Sequence, residues 1–375
     1  MSKSSGSPLQ LVASGLTAAR RAQTVDNPLQ LADSTVFSSL IFSPTIDDGA
    51  DMTSLSLPQV TLCCVDSTPR LDRSLKALRH CLAQVSFGDA FLCTDRASLA
   101  GQALPDGVRW VEIAPLGGIE AYSNFMIKGL APHVRTSHLL VVQWDGYVLN
   151  PSAWRDEFLS VDYIGAPWNH IPEPWKVGNG GFSLRSARLL QVLQDPAFVP
   201  EHPEDVYICK TQRTALEARG LRFAPLEMAE RFAVEDGPLS AEVFGFHGPY
   251  HLPALLPPAE VLAFVESLPT HALRSHWFGS LLRELVRGAR RDPALQPALA
   301  AFERLVLRAI DEFDDATSLS PQALGMLKAL IRHGPHAGAA RLLARRRAAS
   351  GRRFGEPKLW LRLQFNALRA AVQAR

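Results

Sequence analysis

Two apolar runs constrain this chain more than any other feature. Val60-Thr61-Leu62-Cys63-Cys64-Val65 carries no charge and no polar alternation, and neither does Leu139-Leu140-Val141-Val142. A strand with one wet face alternates apolar with polar residues. An unbroken apolar run belongs to a strand covered on both faces, as in parallel sheets whose crossover helices lie above and below. The intervening sequence fits that reading. After Asp66-Ser67-Thr68-Pro69, the residues Leu71, Leu75, Leu78 and Leu82 recur at helical spacing. Ala90–Cys93 reads as a second strand, ending at Thr94-Asp95, and Val108–Ile113 as a third. An amphipathic helix is expected from about Tyr122 to Leu130, before the strand His138–Gln143. Repeated strand, helix, strand implies a parallel-type sheet with helices on both faces. Ligands of such sheets sit beyond the carboxyl ends of the strands, where Asp66, Ser67, Thr94, Asp95 and Asp145 fall.

Beyond Asp145 the pattern is mixed. Tyr147–Leu149 reads as a short strand, Pro151–Leu159 as a short helix, and Tyr163–Trp168 and Phe182–Leu184 as extended segments flanking a Gly-rich turn. Helices are expected over about Ser186–Gln194 and Glu204–Arg219, with a late strand at Arg222–Ala224. From about Pro257 the chain is rich in Ala, Leu and Arg at helical period, without a repeat of fixed length. The expected organisation is therefore a disordered segment over 1–57, an α/β domain over 58–256 and an all-helical region over 257–375. Met52, just before the first strand, is a candidate start.

Composition excludes several classes. The 375 residues carry a formal net charge of +2, too little basic excess for a dedicated nucleic-acid binder. No apolar run reaches the roughly 18 residues of a membrane span, and the N-terminus lacks the order of a signal peptide. The cysteines Cys63, Cys64, Cys81, Cys93 and Cys209 match no zinc spacing. They read as reduced, buried thiols of a cytoplasmic protein. Near the C-terminus Arg345, Arg346, Arg347, Arg352, Arg353, Lys358 and Arg362 face only Glu356 as an acid. This is a solvated basic helix face or a peripheral contact with the anionic inner membrane or a lipid-linked acceptor.

Four clusters could carry chemistry. Gln143-Trp144-Asp145-Gly146 ends the apolar strand, where a carboxylate on a rigid element could hold a hard cation or a sugar hydroxyl. By itself such an Asp is more often a turn or cap residue. Gly178-Asn179-Gly180-Gly181-Phe182-Ser183 has three glycines in four positions and could bring backbone close to a ligand. It has neither a Walker lysine nor dinucleotide-fingerprint spacing. Glu204-Asp205 would cap a helix or supply a general base. Phe244-Gly245-Phe246-His247-Gly248 places one His after a glycine turn.

The order of these signals is more specific than any of them. The stretches VVQWDGYVLNPSAW, DYIGAPW, VGNGGFSLRS, PEDVYIC and FGFHG resemble a family of bacterial glycosyltransferase-like domains formerly of unknown function (DUF5672-like). The resemblance covers roughly 58–250. It implies a GT-A-like, Rossmann-like mixed sheet, and a more distant similarity to fringe and β1,3-galactosyltransferase-type enzymes. In those enzymes an Asp-x-Asp motif binds the nucleotide-sugar diphosphate through Mn²⁺. Asp145 matches the last Asp of that motif, while Gln143 stands in place of the first. The resemblance further implies Asp205, beside Glu204, as catalytic base, and His247 with Asp145 as ligands of a divalent cation such as Mn²⁺. Val65, Asp66, Ser67, Asp95, Asp145, Gly180 and Gly181 would bind the donor. Trp144, Trp168, Asn179 and Phe182 would line the sugar and acceptor pocket, with Trp175 a further stacking candidate. The expected activity is an inverting, hexosyltransferase-like transfer to a glycan or lipid-linked hydroxyl in bacterial surface glycan synthesis. The alternative is a non-catalytic nucleotide-sugar or carbohydrate-binding module on the same shell, which the missing Asp favours.

Overall fold

The computed structural model describes residues 55–275 and 277–313, with 325, 326 and 329. The expected N-terminal disorder up to residue 54, the Met52 start and the basic C-terminal stretch lie outside the described residues. Six strands form one sheet in the order β3-β2-β1-β4-β6-β5: β1 Leu55–Val65, β2 Val85–Thr94, β3 Arg109–Glu112, β4 His138–Val142, β5 Tyr163–Gly165 and β6 Ser183–Ser186. β1 to β4 pair in parallel, and β6 runs antiparallel to both β4 and β5. The sheet is thus mixed, as expected. Its parallel half directs the ends of β1, β2 and β4 to a common edge.

The apolar runs have the predicted cause. Every residue from Val60 to Val65 and from His138 to Val142 is buried. Cys63, Val65, Phe91, Cys93, Leu139 and Val141 pack on one face with Met126 of helix α3 (Ile119–Lys128). Helix α1 (Leu71–Gln84) packs on β1 and β2 and buries Leu71, Leu75, Leu78 and Cys81. Pleat alternation places it on the other face, under Leu62 and Cys64. All five cysteines are free and buried.

β1 includes Leu55–Leu57, earlier than the sequence suggests, because these residues pair with Val85–Phe87. The register shifts between Leu57 and Thr61, around Pro58, which has no N–H for the ladder. Between β2 and α3 lies the short helix α2 (Arg96–Leu99). Tyr147–Leu149 does not join the sheet. Val148 bridges Gly245, and Leu149 N donates to Phe244 O at 2.8 Å. Pro151–Ala153 and Asp156–Ser160 are two 3-10 turns rather than one helix. Arg222–Ala224 reaches β5 through a single bridge, Tyr163 to Phe223.

After β6 come α4 (Ala187–Val192) and α5 (Glu204–Val206). The expected continuous helix over 204–219 is interrupted by a π-turn at Tyr207–Thr211 before α6 (Arg213–Glu217). Tyr207, Ile208 and Cys209 are consecutive and all buried. A regular α-helix turns about 100° per residue and would send one of them to solvent. Helix α7 (Leu226–Phe232) leads into a small parallel pair, β7 Ala233–Val234 and β8 Gly245–Phe246.

The later described part is helical: α8 Leu252–Leu255, α9 Pro258–Glu266, α10 Phe278–Arg291 and α11 Gln296–Phe313. α9, α10 and α11 pack on one another, with Phe278 and Phe302 stacked at 5.7 Å. This helical layer is docked on the α/β part: Lys76 of α1 pairs with Glu260 of α9, and Arg73 bonds to Ser267. No helix among the described residues is long and apolar enough to cross a membrane.

Candidate active site

Gln143 and Gly146 close a two-residue turn at the end of β4, each donating its N–H to the other's carbonyl at 2.9 and 3.1 Å. The turn reverses the chain, so Asp145–Leu149 can run beside Phe244–Gly248. Phe246 N donates to Tyr147 O at 3.3 Å, and Gly248 N to Asp145 O at 2.8 Å. That ladder brings His247 opposite Gly146 and Asp145, across about a hundred residues of sequence. The His247 Nε2 lies 3.2 Å from Gln143 Oε1 and 3.7 Å from Asp145 Oδ1.

The glycine turn closes the same pocket. Asn179 adopts φ 51°, left-handed backbone that Asn tolerates better than most residues. Its Oδ1 accepts from Gly181 N at 3.2 Å, which aims Nδ2 at His247 Nδ1, 3.0 Å away. A Cβ on Gly181 would collide with the His247 ring, and one on Gly180 with the Glu204 carboxylate. The two glycines are therefore required by the protein's own side chains, not only by a ligand. Gly180 N in turn donates to Asp205 Oδ2 at 3.0 Å. Asp145, His247, Gly180, Gly181, Asn179 and Asp205 thus form one contiguous set.

The electrostatics are unbalanced. Burial raises the Asp145 carboxyl above the usual range, and His247 and Arg73 offset this only in part. Its Oδ1 is buried without a hydrogen-bond partner. Burial disfavours the charged form of His247, but the carboxylates of Asp145 and Glu235 outweigh it and push the imidazole up to about 9. Glu235 Oε1 lies 3.4 Å from His247 Nδ1. In the neutral ring Asn179 donates to Nδ1; with a proton on Nδ1, Glu235 is the acceptor in reach. The second arrangement leaves the Nε2 lone pair facing Asp145 and Gln143, the orientation that a carboxylate behind a histidine gives to a metal ligand.

Among the described residues no group of three or more His, Cys, Asp or Glu is placed to hold a metal ion. The fit is nonetheless good for a divalent cation that shares its shell with a ligand. One unpartnered carboxylate oxygen, one imidazole nitrogen and the Gln143 amide oxygen converge. A separation of 3.7 Å suits two bonds of about 2.1 Å. Gln143 is held in this orientation because its Nε2 donates to Tyr122 Oη at 2.7 Å.

Several expected site residues do something else. Glu204 is 6% exposed and pairs with Arg185, itself fully buried, at 3.2 Å. Burial lifts the Glu204 carboxyl and Arg185 opposes that lift. Glu204 is therefore a structural counter-ion and not a base. Arg185 Nε also donates to Ser183 Oγ at 3.0 Å, and Ser183 Oγ to Gly180 O at 3.0 Å. The pair thus buttresses the turn that meets Asp205. Phe182 is wholly buried against Phe232 and Phe244, with centroids 5.2 and 5.8 Å away, so it lines no sugar pocket. Trp168 is 6% exposed, its ring filling the space that a side chain on Gly178 would need. Trp144 packs on Phe264 and under the Arg73 guanidinium, at 5.9 and 5.1 Å, and Trp175 lies under Arg213 at 5.7 Å.

At the neighbouring strand ends the polar atoms are engaged locally. Val65 is buried. Asp66 accepts from Thr68 N at 2.8 Å and from Ser74 Oγ at 2.5 Å. Asp95 caps α2, accepting from Ala97 N, Ser98 N, Ser98 Oγ and Ser67 Oγ. The Ser98 and Ser67 hydroxyls hold its carboxyl well below the usual carboxylate range. Sequence reasoning missed Glu235, Tyr122, Arg185 and Arg73. Only Arg185 had a visible signal, as a charge inside the buried strand β6.

No curated protein matches the chain. The crystal structure of S. aureus TarS 1-349 aligns over 78% of this chain and 90% of its own, at 12% identity and a TM-score of 0.32. Residues 107–247, which hold Asp145, the glycine turn and Asp205 and end on His247, match the family described as "Protein of unknown function (DUF5672)".

Proposed function

We propose that this α/β domain is a glycosyltransferase that takes a sugar from a nucleotide-sugar donor bound across the ends of β1 and β4. The observation that carries the reading is the convergence of Asp145, His247 and Asp205 around the Asn179–Gly181 turn, with one Asp145 oxygen buried and unpartnered. A polar atom left in that state is costly unless a ligand completes it.

Asp145, His247 and the Gln143 amide oxygen would hold a divalent cation such as Mn²⁺, which when bound neutralises a diphosphate leaving group. The other steps belong to the chain itself. Asp205 takes the proton of the acceptor hydroxyl, its carboxylate oriented by the N–H groups of Gly180 and Val206 at 3.0 and 2.8 Å. Attack opposite the leaving diphosphate inverts the anomeric centre. Tyr122 fixes Gln143, Glu235 fixes His247, and Arg185 with Glu204 fixes the turn. The acceptor class is a glycan or lipid-linked hydroxyl, and the basic C-terminal stretch would bring the enzyme to an anionic membrane from the cytoplasmic side.

A second reading is favoured by Gln143 itself: with one anionic ligand fewer, the site would bind a nucleotide sugar without turning it over. Incubating the full chain with a panel of nucleotide sugars, with and without Mn²⁺, separates the two. Release of nucleoside diphosphate by hydrolysis or transfer supports the enzyme. Binding with no release supports the module. Absence of any binding removes both.

A further inference from the structure

Arg70 at the N-cap of α1 and Arg73, Lys76 and Arg79 within it are four cations about one turn apart, of which Arg79 donates to Ala103 O at 2.6 Å. Two are neutralised: Arg70 pairs with Asp72 at 3.1 Å, and Lys76 with Glu260. No carboxylate among the described residues pairs with Arg73. Its hydrogen-bond partner is a neutral group, the Ser267 hydroxyl, which itself donates to Phe264 O at 2.5 Å. The guanidinium lies against both Trp144 and Phe264, its central carbon 5.1 and 5.5 Å from two ring centres that are themselves 5.9 Å apart. Burial and nearby Arg70 depress its pKa, while Asp72, Asp145 and Asp66 act on it in the opposite sense. Arg73 therefore sits against Trp144, next in sequence to Asp145, in the field of Asp66 and Asp145, as a partly desolvated cation with donors to spare. An unpaired, half-buried charge is unfavourable until an anion reaches it. A guanidinium can offer two parallel N–H donors to a phosphate.

We propose that Arg73 binds the diphosphate of the nucleotide donor, and that α9 and the turn to Ser267 belong to the donor site because they hold Arg73 in place. The proposal rests on the glycosyltransferase reading and adds a residue and a role for the helical layer. Trp144 then serves as the platform beneath Arg73 and not beneath a sugar. The C-terminal helices would be coupled to donor binding through Phe264 and Ser267.

The test is calorimetric titration of the full chain, in Mn²⁺, with UDP and GDP in one arm and UMP and GMP in the other. Arg73→Met keeps a stem against the two rings and removes the charge. It is expected to lose about tenfold or more in diphosphate affinity, the scale of one charged hydrogen bond, with less than about threefold change for the monophosphates. Arg73→Lys keeps the charge but not the fork, and is expected to lose about threefold for diphosphates alone. Phe264→Ala, which leaves the cation but removes half its platform, is expected to lose a similar factor. Melting curves of each ligand-free variant accompany the titrations. Wild-type diphosphate affinity in Arg73→Met overturns the proposal, as do equal losses in both arms. If Arg73→Met does not fold, an Arg73→Lys protein without selective loss overturns it. Failure of the wild-type chain to bind any nucleoside diphosphate removes the glycosyltransferase reading, and Arg73 with it.

Discussion

The strand-end edge of the sheet has two halves built from the same residue types. At the ends of β1 and β2, Asp66 and Asp95 receive hydrogen bonds from side chains and backbone a few residues away, and Ser67 ties the two strand ends together. At the end of β4, the Asp145 carboxylate faces His247 from the far side of the domain, and one of its oxygens has no hydrogen-bond donor among the described residues. The first half resembles a finished piece of protein. The second has unfilled capacity beside a glycine turn and a carboxylate that could act as base. Position at a strand end is therefore a weak guide to function, and the state of the carboxylate is a strong one. A group whose bonds are complete contributes to stability, whereas a buried incomplete group detracts from it and is tolerated where a ligand completes it.

The largest expected effect tests the proposed base directly. Asp205→Asn removes the proton acceptor and should lower sugar transfer by roughly 10²–10⁴-fold, while UDP or GDP affinity stays within about threefold, a change below 1 kcal/mol. Full transfer activity in that variant would remove Asp205 as base. Next comes the support beneath it. Arg185→Met leaves Glu204 buried and unpaired, and urea unfolding should show a loss of about 3–5 kcal/mol. Adding Glu204→Gln should restore part of that loss, because the uncompensated charge is gone.

The contrast between halves is sharpened by a matched pair. Asp95→Ala should cost about 1 kcal/mol through the lost cap of α2 and leave Mn²⁺-dependent nucleotide binding unchanged. Asp145→Asn should change stability by less than about 1 kcal/mol, because relief of a buried, unpartnered carboxylate offsets the lost attraction to His247, and should abolish the Mn²⁺ dependence. The reverse pattern would break the comparison. The smallest effect concerns His247 in cation-free buffer with EDTA. Its folded pKa of about 9 lies above the 6.5 of an unperturbed histidine. Its contribution is therefore complete below pH 6.5 and lost as pH rises through about 9. Tm should fall by a few degrees across that window, and His247→Gln should flatten the fall.

The strands β1, β2 and β4 were legible because their apolar runs admit one environment, buried on both faces, and the helices because leucines recur at their period. The cap at Asp95 reads instead as part of a donor site, although its partner Ser98 is only three residues away. The break in the helix after Val206 was not legible, because three adjacent buried residues satisfy a helical pattern in composition but not in angle. Trp168 and Phe182 beside glycines read as platforms for a sugar. They are core residues, because the turn folds back onto their rings. Glu235 and Arg73 gave no signal at all: an acid in a loop and a cation on a helix look solvated until another element packs over them.

The sequence by itself determined the sheet, its parallel half and the edge at which polar residues gather, because hydrophobic period and strand-end chemistry are local properties. It also ordered the candidate residues Asp145, Gly180, Asp205 and His247. The tertiary structure alone decided which carboxylates are spent and which are left open. Asp95 finds its donors largely within its own turn, but Asp145 depends on His247 and Arg73, which reach it only after β8 and α1 have packed. Hydrogen-bond satisfaction within a pocket is a property of convergence in space, and no pattern along the chain encodes it.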